Sequence, residues 1–214
     1  MLRLTPVVRN LLMINAIVFL FEYIGPRRNF IDCIQPGHPA EYTMDLVRGF
    51  LSMWSPESSC FKPYQLFTYM FVHGDFMHIF FNMLTLVFMA PMLENFWGAK
   101  KFLMFYIVCG VGAGIFHVIV TTFFVTGGFS SVMMGASGAV YGVLMAFGML
   151  FPNMEIMLLI PPIPIKAKYL AFLLAGMTFL MDRSGNVAHF AHLGGIIFAF
   201  ILIRIWRSQG GGYY

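Results

Sequence analysis

Fixed charge is what this sequence has least of. Asp, Glu, Lys and Arg make up 10% of its 214 residues, and apolar residues make up 59%, whereas a soluble domain carries roughly 25% charged residues. That scarcity excludes an ordinary water-soluble globule and reads as a membrane protein, with a lipid bilayer as its surroundings. The formal net charge of +4 comes from basic residues that flank apolar runs, where they act as orientation signals, so no nucleic-acid partner is expected. Two other absences narrow the reading. No internal repeat is visible, and the chain reads as one domain over residues 1–214. No cluster of His, Cys, Asp and Glu has metal-ligand spacing at one depth, so neither a metal nor a cofactor is implied.

Long apolar runs are what the sequence does have. At about 20 residues per crossing the length allows about six helices with short loops. They are expected at residues 7–24, 75–94, 101–125, 136–151, 168–181 and 188–205, which defines an all-α polytopic membrane protein. The first run is too long for the apolar core of a cleavable signal and has no small-residue cleavage site after it. The end "QGGGYY" reads as frayed. Between the first two runs lies a long amphiphilic connection, Gly25–Gln65.

Lys and Arg orient the chain. Arg3, Arg9, Lys100, Lys101, Lys166, Lys168, Arg204 and Arg207 fall on one side, against Arg27, Arg28, Arg48, Lys62 and Arg183 on the other. The positive-inside rule then makes both termini cytoplasmic and the long connection extracytoplasmic. The second, fourth and sixth runs cross in the same direction.

Polar side chains inside spans are costly and are functional candidates by default. His78 and Asn82, four apart, share one face of the second run. His117 stands alone in the third and reads as a packing residue, while His189 and His192 open the sixth and His73 precedes the second. Ser137 sits in "GASGAVYG", which admits two readings. Gly138, Gly142 and Ala146 form a small-residue face for close helix packing, or the serine is a nucleophile.

Depth separates the two readings. Ser137 lies 15 residues before Pro152, His192 lies 12 before Arg204 and His78 lies 16 before Glu94, which is about 22, 18 and 24 Å of helix. Measured from one face of a ~30 Å core, Ser137, His192, His78 and Asn82 all fall about 5–12 Å below the outer surface. A serine needs a neighbouring base, and neutral histidine serves. The fourth run is short, so the unpaired N–H groups of its first turn end inside the membrane, where an oxyanion would form. No Asp or Glu shares that depth, so the arrangement is a dyad; Asp182, near the outer end of the fifth run, is given no part.

These residues resemble the rhomboid family of intramembrane serine proteases. The carriers are "HIFFN" (His78–Asn82), "GASG" (Gly135–Gly138) and "AHLGGIIFA" (Ala191–Ala199), in that order, and the similarity covers nearly the whole chain. The resemblance implies a six-transmembrane-helix bundle with a long extracytoplasmic first loop, in the inner membrane, with a site that opens to the outer side. It implies Ser137 as nucleophile, His192 as base, and His78, Asn82 and the Ser137 amide as oxyanion donors. Gly135, Gly138, Tyr141, Gly195 and Ala199 support them, with Tyr141 stacked on the catalytic histidine. Only His192, not His189, has Gly three residues on and a small residue seven on. Glu94 matches a structural acidic residue at the far end of the second helix.

The partner implied is a transmembrane protein substrate. "FPNMEIMLLIPPIPIKAKY" (Phe151–Tyr169) resembles the corresponding loop of bacterial members. Two features depart from the family: Trp54 and Arg48 are scattered where many members have an adjacent Trp-Arg pair, and the first connection is long. A non-catalytic client-binding relative would not need both Ser137 and His192. A channel or transporter would spread its polar groups through the membrane depth. Cys33 and Cys60 share the first connection and either form a disulfide, which an oxidising compartment permits, or stay unpaired; Cys109 is a free apolar thiol.

Overall fold

The computed structural model describes residues 3–30, 33, 43–124, 132–157, 162–181 and 189–209. Six helices of 14 residues or more carry it: α1 (Pro6–Ile24), α4 (Phe76–Trp97), α5 (Ala99–Phe123), α6 (Ser137–Leu150), α7 (Ala167–Met181) and α8 (His189–Ser208). Two short helices, α2 (Leu46–Leu51) and α3 (Gln65–Thr68), and a 3₁₀ turn at Tyr69–Phe71 lie in the connection between α1 and α4. The helix ends fall within a few residues of the expected ones, as end-fraying and capping lead one to expect. Asp182 and the segments around it lie outside the described residues.

Among the described residues four helices, α1, α4, α5 and α8, are long and apolar enough to cross a membrane. Their outer faces expose Ile17, Leu20, Phe81, Phe88, Ile119, Phe200 and Ile201, a surface that water would penalise and lipid does not. The helix α6 is different: it packs against α4, α5, α7 and α8 and buries ten of its 14 residues. Its length is about 21 Å, short of the ~30 Å core.

Close approach of α6 to α8 and to α5 depends on missing side chains. A Cβ on Gly195 would lie 1.9 Å from the Gly138 carbonyl oxygen, and one on Gly142 would lie 2.7 Å from Cys109 Cβ. The small-residue face of the fourth run therefore packs as the plainer reading of "GASGAVYG" has it. That packing leaves the role of Ser137 open, because the serine lies at the end of the face.

The first helix begins with Thr5 as N-cap and Pro6 in the first turn, where the absent proline N–H costs nothing. No side chain of α1 caps it. Glu94 of α4 does so instead: its carboxylate accepts from the Val7 and Val8 N–H groups, each at 3.0 Å, and from the Thr5 hydroxyl. Glu94 is 3% exposed. Replacing it with Ala leaves two buried donors and one half-buried donor without this acceptor, each buried one worth about 1–3 kcal/mol when unsatisfied. Glu94→Ala is expected to lose at least about 2 kcal/mol, read as a lower midpoint of unfolding in detergent with the site chemistry of the folded fraction unchanged.

The connection between α1 and α4 has a core of its own. Phe30, Cys33, Met44 and Trp54 are buried together, and the indole of Trp54 donates to the Gly49 carbonyl at 2.8 Å. A two-stranded antiparallel hairpin, β1 (Arg27–Asn29) with β2 (Thr43–Asp45), opens the connection. A second hairpin, β3 (Glu155–Met157) with β4 (Pro164–Lys166), joins α6 to α7. Neither was expected, because three-residue strands are too short for an alternating pattern to show. Trp54 and Arg48, apart in sequence, are held separately, the indole by the Gly49 carbonyl and the guanidinium by Glu22 and Asp45.

Cys33 and Cys60 are joined in a disulfide with Cα atoms 5.2 Å apart, and Cys109 is buried and free. A bridge over 27 residues is worth about 3–4 kcal/mol in the chain-entropy picture. Alkylation of unreduced protein in isolated membranes is expected to leave Cys33 and Cys60 unlabelled. Both should label after reduction, and Cys109 only after unfolding.

Candidate active site

Ser137 opens α6, and Ala136 at the N-cap offers no side-chain cap. The first amides of the helix, that of Ser137 among them, therefore have no partner within the helix, and they carry the positive end of its dipole. The approach to Ser137 is held from two sides. Met53 and Met133 exchange both backbone hydrogen bonds at 2.9 Å, and the Gly135 N–H donates to the Tyr69 carbonyl at 2.9 Å. Gly135 itself has φ +122°, a conformation that L residues with a side chain rarely adopt. The segment just before Ser137 is thus fixed by the first connection and by the turn before α4.

His192 stands in the first turn of α8, and its Nε2 lies 2.9 Å from Ser137 Oγ. The contact at Gly138 and Gly195 explains the pairing. With α6 and α8 in backbone contact at Gly138, next to Ser137, and at Gly195, three residues after His192, serine and imidazole meet across the narrow gap. The Tyr141 ring stacks on His192, with centroids 4.3 Å apart and planes at 23°. No partner for His192 Nδ1 is present among the described residues, so the pair has no orienting carboxylate there. His189 lies edge-on to His192 at 6.3 Å and against Phe179. His117 is buried beside Phe190.

The His78 ring borders the same space. A Cβ on Gly135 would lie 2.6 Å from His78 Nε2 and Cε1, and 3.7 Å from Ser137 Oγ. Glycine at 135 is therefore what lets His78 and Ser137 be neighbours. Asn82, 5% exposed, donates one amide hydrogen to the His78 carbonyl at 2.8 Å; the amide has a second. Ala199 is fully buried on α8. The structure thus brings Ser137, His192, Tyr141, Gly135 and His78 into one site, with Asn82 one turn below His78. Chemically it pairs a hydroxyl with an imidazole beside amides that have no partner within their own helix and beside a second imidazole, which suits attack on a carbonyl.

One feature escaped the sequence reading. Glu22, in the last turn of α1, is buried and reaches the turn that precedes α4. The signal for it was a lone carboxylate in an otherwise apolar run.

Comparison with known proteins gives the family. The family model described as Rhomboid domain matches residues 61–209. A Bacillus subtilis (strain 168) protein named "Putative rhomboid protease YdcA" is 30% identical over 204 residues, which is 94% of this chain and 88% of that protein. "Rhomboid protein 1, mitochondrial" of Saccharomyces cerevisiae is 33% identical over 130 residues, 58% of this chain and 36% of its own length. "RHOMBOID-like protein 1" of Arabidopsis thaliana is 27% identical over 150 residues, 69% of this chain and 36% of its own. The chain spans about a third of the length of those last two relatives. This is a mostly helical integral membrane protein. It belongs to the rhomboid family.

Proposed function

We propose that the chain is an intramembrane serine protease that hydrolyses a peptide bond in or near a transmembrane segment of another protein. One observation carries the reading: the 2.9 Å contact between His192 Nε2 and Ser137 Oγ at the first turn of α6. Ser137 Oγ attacks the carbonyl carbon while His192 Nε2 takes its proton. The oxyanion is met by the Ser137 amide, His78 and Asn82. His192 then gives the proton to the leaving amine, and water, deprotonated by His192, releases the acyl group from Ser137. Tyr141 holds the imidazole plane, and Gly135, Gly138, Gly195 and Ala199 hold the elements together.

In this reading residues 1–214 form one domain with six crossings, α1 and α4 to α8, in a bacterial inner membrane. Both termini are cytoplasmic, the connection between α1 and α4 is extracytoplasmic, and the site draws its water from that side. The length of α6 supports this placement, because 14 residues, about 21 Å, are too few to cross a ~30 Å core from face to face.

A fluorophosphonate probe tests the nucleophile. Labelling of the wild type and none of Ser137→Ala is the expected result. An unlabelled wild type favours a non-catalytic client-binding relative.

A further inference from the structure

We propose that Glu22 is a positioning residue of this site, acting through the His73–Gly74 backbone to hold the His78 imidazole as an oxyanion donor. The proposal rests on the serine-protease reading.

A carboxylate in the last turn of a helix faces the negative end of the helix dipole, and burial adds a further cost. Glu22 has both, with its side chain fully buried, and α1 has no basic residue in its last turn. Its stabilising partners come from elsewhere in the chain. Arg48 Nε of α2 lies 3.3 Å from Oε2, and the same nitrogen lies 3.3 Å from Asp45. The His73 N–H donates to Oε1 at 3.1 Å. Glu22 therefore ties α1, the first connection and residue 73 to one point.

From residue 73 the chain of contacts leads to the site. The His73 ring is fully buried and meets the His78 ring edge-on, with centroids 5.1 Å apart. The adjoining Gly74 N–H donates to His78 Nδ1 at 3.4 Å. An imidazole that accepts at Nδ1 carries its proton at Nε2 when neutral. That is the nitrogen nearest the Gly135 Cβ position, which Ser137 Oγ also borders, where an N–H donor is needed. On its other side the ring abuts Gly135. His78 is clamped between a glycine that leaves it room and a backbone segment whose position Glu22 sets.

Two substitutions separate reach from charge. Glu22→Gln keeps an acceptor at the same distance and is expected to retain at least about a third of wild-type kcat. Glu22→Asp keeps the charge for Arg48 but withdraws the acceptor from His73, and is expected to lower kcat about tenfold with KM within about twofold. In a His78→Ala background Glu22→Asp should cost nothing further, because both act through one group. Full activity of the Asp variant, or additive losses in the double variant, overturns the proposal.

A second measurement does not depend on cleavage. In Ser137→Ala protein, ¹⁵N chemical shifts of His78 should report the Nε2–H tautomer with Glu22 and a mixture with Asp. Unchanged shifts overturn the proposal even where the wild type proves inert, whereas an inert wild type with shifted His78 removes only the protease reading.

Discussion

Ser137→Ala and His192→Ala are each expected to reduce cleavage of a transmembrane reporter at least about 10⁴-fold, while His189→Ala keeps most of it. The expectation follows from the site geometry. Ser137 Oγ has His192 Nε2 at 2.9 Å, and His189 is a ring away, edge-on to His192 and against Phe179. Residues that act as one unit fail together, and adding the second substitution to the first removes little more. His189 contacts the base rather than the nucleophile, so its loss changes packing and not proton transfer. The measurement is cleavage by purified variants in liposomes, with unfolding midpoints recorded alongside. An active His192→Ala with a dead His189→Ala would reverse the assignment of the base.

His78→Ala is expected to lower kcat by about 10²-fold or more with little change in KM, since an oxyanion donor acts on charge that exists only in the transition state. Asn82→Ala should lose less than His78→Ala or the same, depending on how its two amide hydrogens are shared. One is held by the His78 carbonyl, which also makes Asn82 a brace for the turn that carries the imidazole. The two effects should therefore be non-additive. Unchanged turnover in the double variant removes both residues from the site. Gly135→Ala offers an independent check: its new methyl group would occupy the place of the His78 ring, so it should resemble His78→Ala in kcat.

The helices and much of the site's neighbourhood were legible before any coordinates, for a physical reason. A span must hydrogen-bond its own backbone and present apolar side chains to lipid, so the code for helix position is local and one-dimensional. The expectation of depth is equally local: a fixed rise per residue is what led Ser137, His78 and His192 to be expected at one level from three separate stretches of chain. That is why a lone serine among glycines could be read as more than a packing residue.

The first connection was far less legible. Its hairpin, its small core around Trp54 and the bridge between Cys33 and Cys60 rest on contacts between residues distant in sequence. No periodicity announces such contacts.

The amino-acid sequence by itself determined that this is a helical membrane protein, where its six apolar segments lie, and which polar residues interrupt or border them. Those properties depend on hydropathy and helical rise alone. Tertiary structure decided which of those residues touch. Helices α6 and α8 meet at Gly138 and Gly195, setting His192 rather than His189 on Ser137, and Gly135 at φ +122° leaves space for the His78 ring. Only the fold could pair Glu22 at the end of α1 with Arg48 and the His73 amide, 26 and 51 residues away. Rotation about a helix axis and the path of a connection are set by packing between segments, and that packing is fixed only when all of them are assembled.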